Sequence, residues 1–238
     1  EDDTKVSIVK TLLLYFLDHH GTYYDQQELE EYKRITFDFD TLNADIPVGD
    51  FQKVLGNEPN IVLSCLGLAT HVSLLLLSNV YQYPYAKVTI RISDYKPIIA
   101  IKDVKANYVN NFISIRGNIV RTSTIRPLLI SCQFQCIRCT NIVTVKFKDG
   151  EYATPKRCES PCKSRTFKPL YKTAIAIDYQ TIRVQQIVST DEIDVGHIPR
   201  SIDCEVYADL VDTVIPGDVV SVTGMVQAKS IMSKVPGQ

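Results

Sequence analysis

Cys136-Ile137-Arg138-Cys139, an 18-residue spacer, then Cys158-Glu159-Ser160-Pro161-Cys162 is the stretch on which the reading of this chain turns. Tetrahedral Zn2+ favours four thiolates, and a pair of cysteines two or three residues apart can bite one ion from a single turn. Inside the spacer, Thr144-Val145-Lys146-Phe147-Lys148 runs into Asp149-Gly150, which reads as a hairpin folding the second pair back onto the first. Cys136, Cys139, Cys158 and Cys162 are therefore the expected ligands of a structural zinc. A shell of four thiolates leaves no open position for a catalytic water, so the metal is expected to be scaffolding. The alternatives are two unrelated reduced pairs or a redox CxxC. Cys132 stands four residues before the first ligand, but it alternates with Ile130 and Phe134 and reads as a buried barrel position; Cys65 and Cys204 read as core thiols.

On both sides of the cysteines the chain has a period of two. Phe112–Gly117, Leu129–Phe134, Ala174–Ile177, Ile182–Gln185, Ile202–Val206 and Val219–Gly224 all read as strands. Short strands broken by Gly, Pro and Asp suggest a small closed barrel, of which the OB-fold is one member and an SH3-like barrel another. The first ninety residues or so read differently. Val6, Val9, Leu13 and Phe16 recur at helical spacing up to a stop at Gly21, and a second helical run covers Glu58–Leu77. Ile35–Asp40 alternates like a short strand between them, with Pro47 and Gly49 as breakers soon after it. The expected class is α+β, mainly β, with a helical subdomain ahead of a barrel that carries a zinc-binding insertion.

Charge is distributed unevenly although the net charge is only −1. Residues 1–60 hold 13 acids and 5 bases, whereas residues 87–183 hold 18 bases and 6 acids. A polyanion would be attracted to that middle segment, not to the helical part. No apolar run approaches the ~20 residues that cross a bilayer, and no basic segment with a small-residue cleavage site opens the chain, so no membrane partner is expected. None of the ten glycines precedes a lysine, which removes the phosphate cradle of a P-loop ATPase. His19, His20, His71 and His197 lack ligand or triad spacing, so no hydrolase is expected.

Six motifs occur in an order that resembles the N-terminal region of the MCM (minichromosome maintenance) helicase family. They are Ile115-Arg116-Gly117-Asn118-Ile119-Val120-Arg121, the four cysteines, Asp178 through Gln186, Gly196-His197-Ile198-Pro199-Arg200-Ser201-Ile202, Asp209-Leu210-Val211-Asp212, and Pro216-Gly217-Asp218 with Thr223-Gly224. In the helical part, Leu63-Ser64-Cys65-Leu66-Gly67-Leu68-Ala69 looks most like the eighth paralogue. The resemblance implies a helical A subdomain over 1–93, an OB-fold over 94–130 and 169–238, and a zinc-binding B subdomain over 131–168. Arg121, Arg126, Arg183 and Arg200 are the positions equivalent to the family's single-strand-binding basic residues. From the residues alone, they can equally decorate barrel edges. Three departures stand out: the second cysteine pair has three intervening residues where many members have two, Gln186 stands where Glu is common, and Ala228–Gln238 falls where members project a basic hairpin.

The function this resemblance implies is a DNA-binding, ring-assembling collar of a hexameric helicase whose ATP-hydrolysing motor lies outside the sequence. The similarity to the eighth paralogue adds pairing with the ninth paralogue or other MCM subunits, a nuclear location, and work in homologous recombination and crosslink repair. A replicative MCM subunit and a zinc-ribbon protein-interaction module of the transcription apparatus are the competing readings.

Overall fold

A computed structural model of the protein describes residues 10–17, 34–45, 51–77, 88–147, 152–187 and 198–228. The chain divides into two compact units. One comprises Glu1–Gly117, Gln186–Arg200 and Val219–Gln238, the other Asn118–Gln185 and Ser201–Asp218.

In the first unit, residues 10–17 are helical, as the spacing of Leu13 and Phe16 requires, and Leu12 and Phe16 are fully buried. Val6, Val9, Gly21, Pro47 and Gly49 lie outside the described residues. Strand β1 (Arg34–Asp38) sends Ile35 and Phe37 inward, and Asp38 then caps the short helix Phe39–Asp45. Its carboxylate accepts hydrogen bonds from the Thr41 amide at 3.0 Å and the Thr41 hydroxyl at 2.7 Å. The Phe51–Asn57 helix leads into Pro59–Leu77, where proline stands at the first helical position and its missing N–H costs nothing. By length and composition alone, Pro59–Leu76 could cross a membrane, with a mean hydropathy of 1.6. Here its Val62, Cys65, Leu66 and Ala69 are buried in one cluster with Leu12, Phe16, Phe37, Leu42 and Leu55. Its Thr70 hydroxyl donates to the Leu66 carbonyl at 2.8 Å, whereas the buried Nδ1 of His71 has no hydrogen-bond partner among the described residues.

Sequence reading missed strand β2 (Thr89–Ser93), which runs parallel to β1 with Ile35 opposite Ile90 and Phe37 opposite Ile92. Parallel neighbours need a crossover, and the helices described between β1 and β2 belong to it. The helical subdomain is thus built on a two-stranded sheet.

The remaining strands form one curled sheet, a half-barrel among the described residues, in the order β3-β4-β7-β5-β6 with β8 on β7 and β9 on β4. They are β3 (Ile98–Ile99), β4 (Phe112–Thr122), β5 (Arg126–Cys136), β6 (Ile142–Lys146), β7 (Phe167–Gln185), β8 (Ser201–Tyr207) and β9 (Val219–Met225). The segments Ala174–Ile177 and Ile182–Gln185, expected as two strands, belong to the single 19-residue β7. Pairing runs on regularly through Asp178–Thr181, first with β5 and then with β8, so no turn separates them. Between Ser131 and Gln133 of β5, the partner on β7 moves from Ile175 to Leu170, so Tyr171–Thr173 bulges out exposed while Ala174 packs back against Cys132, Phe134 and Phe147. The expected hairpin at Asp149-Gly150 lies outside the described residues. β6 instead folds back directly on β5, Phe134 opposite Val143, around the first cysteine turn.

Candidate metal centre and nucleic-acid interface

Cys136 is the last residue of β5, opposite Phe167 at the start of β7, so two paired strands present the first sulfur. Its amide donates to the Asn141 carbonyl at 2.8 Å and its carbonyl accepts from the Thr140 amide at 3.0 Å, which closes a tight turn around Cys139. A second turn forms where the Cys158 amide donates to Ser164 at 2.9 Å and the Lys163 amide to Ser160 at 3.1 Å. Each turn holds one non-glycine residue in the left-handed region, Thr140 at φ 57° and Lys163 at φ 45°. That conformation is unfavourable for L residues, most of all for a β-branched one, and persists where its surroundings over-determine it.

The turns bring all four Sγ atoms within 4.8 Å of one another. Cys136–Cys162, Cys139–Cys158 and Cys139–Cys162 are separated by 3.7, 3.6 and 3.3 Å. A Zn–S bond of ~2.3 Å in a tetrahedron sets sulfurs roughly 3.8 Å apart, so the donor set fits a metal ion such as zinc with small adjustments. The electrostatics point the same way. The Cys139 amide on its sulfur brings the Cys136 thiol down to about 6, and the Asn141 amide lowers Cys139. At Cys162 the Ser164 amide favours the thiolate, yet the neighbouring sulfurs and desolvation together push that thiol up to about 12. Four sulfurs this close cannot all ionise until a cation neutralises them.

Cys132 takes no part in this cluster. It is 1% exposed, packed with Phe134 and Phe147, and its thiol faces the Leu170 carbonyl at 3.7 Å. Cys65 is buried in the helical core, and burial pushes the Cys204 thiol up to about 11.

Three of the four sequence-selected arginines lie in the second unit, and strand register places them in two rows. Arg121 on β4 stands opposite Arg183 on β7, which stands opposite Asp203 on β8. Arg126 on β5 stands opposite Tyr179 on β7, which stands opposite Tyr207 on β8. Directly opposed residues in antiparallel pairs share a face, and Tyr179 and Arg183 alternate with buried Gln180, Ile182 and Val184. Both rows therefore lie on the outward face. A register shift between Ile119 and Arg121 is what puts Arg121 in the row of Arg183.

The arginines are not equivalent. Arg183 grips Asp203 with two parallel hydrogen bonds, Nε at 2.6 Å and Nη2 at 2.8 Å. Among the described residues, Arg121 and Arg126 are exposed and pair with no carboxylate. Arg200 belongs to the first unit, where its Nη1 donates to the Lys102 carbonyl at 3.3 Å.

Residues 100–230, which hold all four cysteines and all four arginines, match the MCM OB domain, and residues 6–110 match the MCM8 N-terminal domain. The chain belongs to the MCM family. Similar relatives are DNA helicase MCM8 of Mus musculus, 35% identical over 90% of this chain and 29% of that protein, and DNA helicase MCM8 of Homo sapiens, 33% identical over 90% and 28%. A probable DNA helicase MCM8 of Oryza sativa subsp. indica is 35% identical over 86% of this chain and 27% of that protein. This MCM chain thus spans less than a third of the length of the curated relatives it matches.

Sequence reasoning passed over the residues that organise this MCM sheet. Gln180, 4% exposed, donates from Nε2 to the Ser123 carbonyl and accepts the Asp212 amide at Oε1, each at 3.0 Å. Ser123 is held again by Thr181, whose amide donates to its Oγ at 3.0 Å and whose carbonyl accepts its amide at 2.8 Å. The turn between Arg121 and Arg126 is therefore stapled to β7. Glu205 was also missed; it accepts the Tyr179 hydroxyl at 3.0 Å and the Tyr207 hydroxyl at 2.7 Å. For Gln180 the sequence signals are its place in the Asp178–Gln186 motif and its polarity at an inward-facing strand position, and for Glu205 there is none without the register.

Proposed function

We propose that this chain is the DNA-holding collar of an MCM-type helicase ring. The observation that carries the reading is the placement of Arg121, Arg126 and Arg183 on one outward face of the OB sheet, within the most basic stretch of the chain. A basic sheet face of this kind holds a single strand through its phosphates, without a base code. Arg200, in the first unit, is a further proposed DNA contact in its own right. Cys136, Cys139, Cys158 and Cys162 hold a structural Zn2+, which fixes the β5–β6–β7 lobe and takes no part in chemistry. On this reading, residues 1–93 form the A subdomain, 94–130 and 169–238 the OB-fold, and 131–168 the zinc-binding B subdomain. The whole protein hydrolyses ATP in a motor beyond this region, assembles with the ninth paralogue or other MCM subunits in a hexamer, and acts in the nucleus in homologous recombination and crosslink repair.

Titrating a labelled single-stranded oligonucleotide across a salt series tests this. Each phosphate neutralised adds roughly −0.7 to the log–log slope. A chain with Arg121, Arg126, Arg183 and Arg200 all changed to Ala should bind more weakly with a flatter slope. Salt-independent binding, or none, by the parent would favour a zinc-ribbon module that contacts protein.

A further inference from the structure

The outward face of the second unit carries more than positive charge. Beside Arg126, in the same row across three strands, stand the phenol rings of Tyr179 and Tyr207. Their centroids are 5.5 Å apart and the rings are tilted by 45°, so they touch without stacking on each other. Each is half-buried, its body seated on the sheet. Glu205 lies in the next row on β8, opposite Thr181, and its two carboxylate oxygens each take one phenol proton. The Tyr179 hydroxyl lies 3.0 Å from the Thr181 hydroxyl as well. Both rings are thus held by their polar tips, which limits the rotamer entropy lost when something packs on them.

Among the described residues, the acids in these rows are already engaged, Asp203 by Arg183 and Glu205 by the two phenols. Arg121 and Arg126 remain as the positive charges open to a ligand. The face therefore offers fixed aromatic rings flanked by cations. That chemistry suits an unpaired nucleobase whose own phosphates reach the arginines, since every base has a π-face and a guanidinium beside the ring adds attraction. An acidic peptide would use the arginines but leave the rings idle.

We infer that Tyr179 and Tyr207 form a base-stacking step of the single-strand interface, next to the Arg121–Arg126 phosphate grip. This inference rests on the proposed DNA-binding function and adds base contact to it. The test compares an oligothymidylate with an abasic deoxyribose-phosphate oligomer of equal length, which carries the same charge and no rings. The full chain should prefer the oligothymidylate by roughly 5- to 150-fold, the range for one stacked base. Tyr179→Leu and Tyr207→Leu should each erode that preference while leaving abasic binding and the salt slope in place. Tyr179→Phe and Tyr207→Phe, which keep the ring, should retain most of it. The chain contains no tryptophan, so Tyr179→Trp introduces a single indole. Its emission should be quenched by oligothymidylate and not by the abasic oligomer. Equal affinity of the parent for the two oligomers overturns the stacking step and leaves the phosphate grip standing. Loss of abasic binding in the Leu variants, or an unquenched indole, also overturns it. Failure of the parent to bind either oligomer overturns both readings.

Discussion

Removing a negative charge from the proposed interface should tighten it, and Asp203→Ala is the change that tests the arginine face most sharply. In the structure the Arg183 guanidinium is neutralised by a bidentate pair with Asp203, both side chains about half exposed. A paired arginine releases few counterions, so in the parent the slope should come chiefly from Arg121 and Arg126, with Arg200 adding to it. Freeing Arg183 adds one cation to the face and should steepen the log–log salt slope by roughly 0.7. Lowering salt fourfold should then raise the variant-to-parent affinity ratio by about 2.6-fold. Arg183→Ala should weaken binding by removing the guanidinium that offsets the Asp203 charge beside the phosphates, and the double variant should lie near the parent. Fluorescence anisotropy with a labelled oligonucleotide at several salt concentrations measures all three. A surface pair of this kind contributes little to folding, so circular dichroism should be unchanged. If Asp203→Ala binds no better than the parent and its slope does not steepen, Arg183 does not face the strand and the interface has been put on the wrong surface.

Zinc should be found at one ion per chain, and its removal by a chelator or by Cys158→Ala should speed hydrogen exchange at the Cys136, Thr140 and Lys163 amides that close the two turns. Slow exchange in the metal-free chain would contradict a structural metal. Zinc retention should fail on acidification and not on alkalinisation, because protons compete with the ion for all four thiolates, and in the metal-free chain Cys136, at about 6, is the last of them to keep its charge as pH falls. Metal content after dialysis across pH 5 to 9 reads this directly. Gln180→Leu leaves the Ser123 carbonyl and the Asp212 amide without their partner and should cost about 2–5 kcal/mol in urea unfolding. It should also weaken DNA binding by loosening the turn between Arg121 and Arg126. Phe134→Ala, which empties a fully buried site in the lobe core, should cost about 3–5 kcal/mol; a loss under 1 kcal/mol would mean that core is not packed as described.

Local chemistry is what the residues alone made legible. The cysteine spacing foretold four sulfurs that do converge, because ligand geometry acts over a single turn. Strand positions were legible where inward apolar and outward polar residues alternate, as at Ile182–Gln185. The break expected between Ile177 and Ile182 did not occur, because Asp178 and Tyr179 continue the ladder with β5 and Tyr179–Thr181 the ladder with β8, pairings that no local residue announces. β2 escaped notice because Thr-Ile-Arg-Ile-Ser has its partner more than fifty residues earlier, and nothing local announces a parallel pairing. For the same reason, the Asp203 pairing that sets Arg183 apart from Arg121 and Arg126 depends on register between separate strands. The arginines could be named from resemblance, but their inequality could not.

The first cysteine turn is continuous with the sheet. β5 runs unbroken from Arg126 to Cys136, and β7 from Phe167 to Arg183 and beyond, so each strand reaches from the sulfur cluster to the basic face. At ~3.3 Å per residue, β5 spans roughly 33 Å. The pairing of β5 with β7 slips on the way, most at Ser131–Gln133, where β7 carries extra residues. A push on the cysteine end would be taken up first at that bulge, which makes it a buffer between the sulfur cluster and the guanidinium groups.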